Sequence, residues 1–300
     1  MNFSTSTAVS TWRPAAWLRV TGEDAANFLQ GQFTNDLRGL AADGGGAVYG
    51  LWLNVKGKVL ADSFVLRSAT GEFWVGSYFS PAAVIRERLE SFVIADDVVI
   101  EDLTQTWSAV TLWGTGSGAA LATEARALGI GRVFAGRREK EESAEWFFPV
   151  EAGEAVRARL VGWKELDGTE VERRRIVARI PAVPVDIGPG DLPAEGDLDA
   201  TAISYTKGCY LGQEVMARLK SMGQVRRRLL RVAGDGRAPQ FYPAELFIGE
   251  RKVGDVRSAV DDGAGGWVGL AMLSLLHMSG NATMGLKVGG AAEVRLVYTP

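Results

Sequence analysis

The stretch TKGCYLGQEVMAR, residues 206–218, decides how the rest of the chain is read, because it holds the only cysteine among 300 residues. Lys207 stands two positions before the thiol, glycines stand at 208 and 212, and LGQEVMARLKSM has helix-forming character. A cysteine close to a helix N-terminus and to a cation shifts towards thiolate. Glycines on either side permit close backbone approach or an unusual φ. On chemistry alone Cys209 divides evenly between a reactive thiol and the small buried filler that most free cysteines are.

Working outward, a single cysteine cannot close an intrachain disulfide, so a reducing, cytoplasmic setting is expected. With one cysteine and one histidine, His277, no metal cage can form from those ligands within the chain. One thiol cannot hold a whole iron–sulfur cluster either. A Cys209–His277 catalytic pair is disfavoured because the two fall in different expected domains, which leaves His277 as a polar residue of a barrel. The net charge is −3, so any nucleic-acid binding would need a local patch. No apolar run is long enough to span a bilayer, and no membrane partner is expected. The opening MNFSTSTAVSTWRPAAWLRV lacks a secretory pattern; its Ser/Thr content faintly resembles a transit peptide, but a short tail leading into a first strand is preferred.

At this length two or three domains are expected. AWLRV reads as a strand, GEDAANFLQGQF as a helix capped through Thr21 and Asp24, and AVYGLWLN with VLADSFVL as a hairpin turning at Gly57. FWVGSYF is a strand, and Ser80-Pro81 opens a helix carrying Val84, Ile85, Leu89 and Phe92 inwards. A second unit of the same mixed order follows from WSAVTLWG to EAVRARLVGW. IPAVPVDIGPGDLPAEGDLD is a long functional or mobile loop. After Arg231 the chain changes to short strands with glycine turns, which suits a small β-barrel. The expected class is α+β, with residues 1–233 holding two subdomains, interleaved or sequential, and residues 234–300 forming the barrel. LWGTGSGAAL imitates a dinucleotide fingerprint, but a plain glycine turn is preferred. Lys207, Arg218, Lys220, Arg226, Arg227, Arg228 and Arg231 form a basic stripe with Glu214 as its one acid. The nine tryptophans read mostly as core.

K-G-C-Y-L-G-Q-E followed by Ala217-Arg218 resembles the signature of the YgfZ family, folate-binding relatives of the glycine cleavage T-protein. LRVTGEDAANFLQGQFTNDL, NVKGKVLADSFVL, the stretch around Arg175 and Ile180-Pro181, and the C-terminal VGLAML fall in the family's order, so the resemblance covers nearly the whole chain. It implies a three-domain cloverleaf around a central pocket that binds tetrahydrofolate or a derivative. Lys207, Gly208, Tyr210, Gln213, Glu214, Arg218, Arg175 and Asp62 are the implied cofactor-binding residues, and Cys209 is the implied reactive group on the pocket lining. The implied role is an accessory one in iron–sulfur cluster assembly or repair, with partners among cluster-assembly proteins or iron–sulfur enzymes, including radical tRNA-modifying enzymes; direct tRNA contact stays open.

The chain also departs from the T-protein. The first acid of that protein's Asp-Asp pair aligns with Ala61, leaving Asp62. Its Glu-Ala-Gly aligns with Val177-Ala178-Arg179, which removes a carboxylate suited to a pterin's N–H donors. Glu195 or Glu172 is the expected substitute. Aminomethyl transfer is therefore disfavoured. A one-carbon transferase and an RNA-binding module acting through Arg226–Arg228 are the alternatives.

Overall fold

The computed structural model describes residues 8–40, 46–277 and 282–297. Three sheets organise them. The chain begins with β1 (Ala8–Trp12) and β2 (Ala16–Thr21), which enter different sheets. β2 joins α1 (Ala25–Gln32), β3 (Val48–Leu53), β4 (Val59–Arg67), β5 (Phe73–Ser77), α2 (Ala82–Glu90) and β6 (Val99–Asp102) in the first lobe, with strand order β3-β4-β5-β2-β6. β1 crosses to the second lobe, pairing antiparallel with β7 (Trp107–Trp113), so that Ala8 lies opposite Trp113. α3 (Ser117–Leu128), β8 (Arg132–Ala135), β9 (Ser143–Pro149), α4 (Gly153–Arg159) and β10 (Lys164–Glu165) complete that sheet in the order β10-β1-β7-β9-β8. The two lobes are thus interleaved.

Period-two alternation sorts each strand between two cores. On β4, Ala61 and Val65 face α1 and α2 and pack with Leu29, Phe33 and Ile85. Phe64 and Leu66 face the other way, into a seam that includes Trp17, Trp74, Phe134 and Phe147. Trp17 stacks on Phe147 with centroids 4.2 Å apart and an interplanar angle of 23°. The same seam core takes in Tyr210, Met216, Leu229 and Met272, so one hydrophobic body joins all three lobes. Burying each such side chain contributes about 1.5–3 kcal/mol.

Two helix starts differ from expectation. Asp24 flanks α1 without a side-chain cap, because its Oδ2 accepts instead from the N–H of Asp97. Pro81, not Ser80, flanks α2; the Ser80 hydroxyl is turned inwards to Asp62 and to the carbonyl of Val183.

α5 (Gly168–Val177) leads into the long loop, which contains the short helix α6 (Asp199–Ala202) and ends in α7 (Gln213–Met222). The third lobe is a six-stranded antiparallel barrel-like sheet. It comprises β11 (Arg227–Asp235), β12 (Ala244–Ile248), β13 (Arg251–Asp261), β14 (Gly266–Ser274), β15 (Thr283–Met284) and β16 (Val294–Leu296). β11 pairs with β14 along its whole length, so the barrel sheet begins at Arg227 and the expected 233/234 boundary falls within this strand. The charged residues at its start hid it. Among the described residues no helix is long and apolar enough to cross a membrane. His277 ends a short turn after β14, and its side chain lies outside the described residues.

Candidate functional site

The 206–218 segment is held at two points. Lys207 is almost fully buried, and its Nζ donates to the carbonyls of Gln30 and Phe33, each at 2.6 Å, and of Asn35 at 3.0 Å. These carbonyls belong to the C-terminal end of α1 and the turn after it, where unpaired acceptors and a negative dipole favour a cation. All three ammonium donors are engaged, and burial lowers the group's pKa to about 8. The second point is Gly212, left-handed at φ +85°; a Cβ there would meet the Asn54 carbonyl oxygen at 2.9 Å. Gly57 at the tip of the β3–β4 hairpin is also left-handed, and a Cβ on it would meet Met216 at 2.8 Å and Val215 at 2.9 Å. The motif and the hairpin therefore interlock through two glycines.

Between these points Gly208 and Cys209 are exposed and Tyr210 is buried. The Tyr210 ring joins the seam core, its hydroxyl has no partner, and burial raises its pKa to about 12. Cys209 thus lies on an exposed loop before α7. Gln213 is the first residue of α7. Glu214 and Arg218 pair with each other on its exposed face, with side chains 78% and 73% accessible.

The remaining predicted residues stand elsewhere. Arg175 is buried and holds Glu172, Asp186, the carbonyl of Ile180 and the Ser258 hydroxyl, tying α5 to the long loop and to β13. Asp62 accepts from Tyr49 at 2.9 Å and from Ser77 and Ser80 at 2.7 Å each. Its pKa is raised by burial, against the pull of those hydroxyls. Asp62 lies on the seam face of β4, whereas residue 61 faces α1 and α2. The loss of an acid at 61 therefore carries no information about the seam. Glu172 is engaged by Arg175, and Glu195 by Arg227 and the Leu192 N–H, so neither carboxylate is free to substitute in a pterin site.

A cavity of about 530 Å³ opens beside α7, between the long loop and β11. Tyr205, Met216, Leu219 and Val225 supply its apolar and aromatic wall, and Asp197, Asp199, Lys220 and Arg228 its charges. This volume suits a drug-sized ligand, and an apolar wall with a few charged groups is the usual composition of such a site. None of the residues predicted from sequence lines it. Lys220 and Arg228 were legible as members of the basic stripe; Tyr205 and Asp197 carried no separate signal, since only the fold brings them to α7.

The rest of the stripe is largely neutralised. Arg227 pairs with Asp191 and Glu195, Arg218 with Glu214, and Arg231 donates to the Val177 carbonyl. Lys220 lies 3.9 Å from the Tyr205 ring centroid. At the cavity edge Arg179 (φ +59°) and Asp197 (φ +55°) are the left-handed non-glycine residues of the described chain. They pair with each other at 2.8 Å. A left-handed arginine costs roughly 1 kcal/mol, while a half-exposed ion pair contributes about 0.2–1 kcal/mol, so the pair does not explain its own strain. The glycine turn before α3 is filled from within: the Glu142 carboxylate accepts from the N–H groups of Gly116 and Gly118, leaving no seat for a phosphate there. Among the described residues no group of His, Cys, Asp and Glu could hold a metal ion.

The architecture is that of the aminomethyltransferase fold: the crystal structure of glycine cleavage system aminomethyltransferase T from Bartonella henselae superposes with a TM-score of 0.78 at 18% identity, over 98% of this chain and 86% of that one. Residues 8–128 match the family described as GCVT N-terminal domain, and residues 226–298 match the CAF17 C-terminal beta-barrel domain. The human mitochondrial iron–sulfur cluster assembly factor IBA57 is 30% identical over 72% of this chain and 63% of its own length. The homologue so named in Cryptococcus neoformans gives the same figures. The tRNA-modifying protein YgfZ of Vibrio vulnificus is 27% identical over 83% of this chain and 76% of its own. The chain belongs to the YgfZ/IBA57 type of GcvT-like proteins. It spans 57–65% of the length of the IBA57 relatives it matches.

Proposed function

We propose that the protein is a tetrahydrofolate-binding accessory factor in iron–sulfur cluster assembly or repair, serving cluster-assembly proteins or iron–sulfur enzymes such as those that modify tRNA. The names of its IBA57 and YgfZ relatives support the process. The observation that carries the reading is a division of labour around α7: an exposed thiol on a braced loop, and beside it a cavity with an aromatic wall and charges of both signs.

The donor set fits a reduced folate. Tyr205 offers a face for a pteridine ring, Asp199 offers an acceptor for its amino and N–H donors, and Lys220 and Arg228 offer cations for glutamate carboxylates. A bound reduced folate would supply one-carbon carriage or a redox-active ring. The chain's own part is to orient the ligand against α7 and to present Cys209 outwards. One thiol can contribute a single cluster ligand or relay sulfur, and it acts on a client that reaches the loop from solvent.

Two alternatives fare less well. The transferase reading rests on the hairpin acid, yet Asp62 is enclosed by three hydroxyls and is absent from the cavity wall. An RNA interface needs free cations, and most of the stripe is paired. The test is complementation of an iron–sulfur enzyme defect with Cys209→Ser. Activity should fall to background while the folded state and folate affinity stay as in wild type; full complementation would remove the thiol from the function.

A further inference from the structure

We propose that Asp197 is a placeholder. In the free protein its carboxylate occupies the arginine site that a carboxylate of the cavity's ligand takes on binding, with Arg179 and Arg228 as the receiving groups. This rests on the reading of the cavity as a ligand site and deepens it, since it makes the ligand one that carries a free carboxylate.

Five observations converge. Arg179 and Arg228 both pair with this single acid, at 2.8 Å and 3.7 Å. The guanidinium of Arg231 is pushed down by burial and by the positive charge of Arg179, so the cluster holds more positive charge than Asp197 balances. The Nε–H groups of Arg179 and Arg231 are buried without an acceptor, donors that a second oxyanion would satisfy. Asp197 and Arg228 line the cavity, which places the exchange at the ligand. Finally, Arg179 and Asp197 both hold left-handed backbone, a strained state that concentrates at ligand clamps.

The contrast with a fixed pair lies a few residues away. Asp191 and Glu195 are nearly inaccessible and clamp Arg227 at 3.0 Å. Asp197 is half-exposed, so its carboxylate can turn into water when another takes its place. The exchange is non-covalent and conserves charge: one carboxylate leaves the arginines and one arrives.

Calorimetric titration with tetrahydrofolate and with a tetrahydropterin lacking the glutamyl tail tests this. Arg179→Gly should weaken tetrahydrofolate binding at least tenfold and leave the tail-less pterin unchanged. Its Tm should be no lower than that of wild type, because glycine accepts φ +59° freely. Asp197→Asn should strengthen tetrahydrofolate binding several-fold, since it removes the competing charge and asparagine tolerates the left-handed region. Wild-type affinity for tetrahydrofolate in both variants overturns the placeholder and leaves the cavity reading standing. Failure of wild type to bind either compound overturns both.

Discussion

The two segments that meet at α7 have opposite character. On one side the motif loop and the β3–β4 hairpin are locked: Lys207 has every donor engaged, and Gly212 and Gly57 admit no side chain. On the other side the cavity wall is loosely held, with Asp197 half-exposed, strained and only partly paired. The difference separates two tasks that the sequence motif runs together. The locked side fixes where Cys209 stands; the loose side has groups left over for a ligand. Locally stable frames carrying less stable binding elements are a general arrangement in proteins.

The largest expected effect breaks the locked side. Lys207→Met leaves buried carbonyls without their charged donor and should destabilise the protein by about 3 kcal/mol or more, read by urea denaturation. A change under 1 kcal/mol would show that the ammonium is not a brace. Gly212→Ala should cost about 1–3 kcal/mol through left-handed strain and the approach to the Asn54 carbonyl. The smallest effect is on the surface: Arg218→Ala removes only the exposed pair with Glu214 and should change stability by less than about 0.5 kcal/mol.

The acid side sharpens the comparison through the seam. Burial raises the pKa of Asp62 above the ordinary carboxylate value. Its contribution to stability is therefore fully present below that value and is lost as pH rises through the raised folded pKa. Asp62→Asn, which mimics the protonated group, should flatten that loss in a series of melting curves between the ordinary carboxylate range and neutrality. An unchanged slope would mean that the hydroxyls of Tyr49, Ser77 and Ser80 hold Asp62 ionised.

Much of the fold was legible because it is written in local periodicity. β4 alternates between two cores, α1 carries Phe28 and Leu29 inwards, and Gly57 marks its hairpin. β1 was not, since AVSTW is short and hydroxyl-rich and its partner β7 lies about a hundred residues away. α5 was missed because its run of arginines and glutamates shows little apolar periodicity; its side chains are held by ion pairs instead. The candidate site was legible only as a motif. The sequence marked the segment around Cys209, but not that Lys207 points back at α1, that Arg175 is locked among Glu172, Asp186 and Ser258, or that Tyr205 and Asp197 meet across the cavity. Side-chain direction and long-range convergence decide such matters, and neither is a local property.

The most direct test of this account is a tetrahydrofolate titration of wild type, Tyr205→Ala and Cys209→Ser side by side. The cavity beside α7, with the thiol outside it, predicts that Tyr205→Ala loses at least tenfold in affinity while Cys209→Ser binds as wild type. Equal affinity in Tyr205→Ala, or a loss confined to Cys209→Ser, would contradict it.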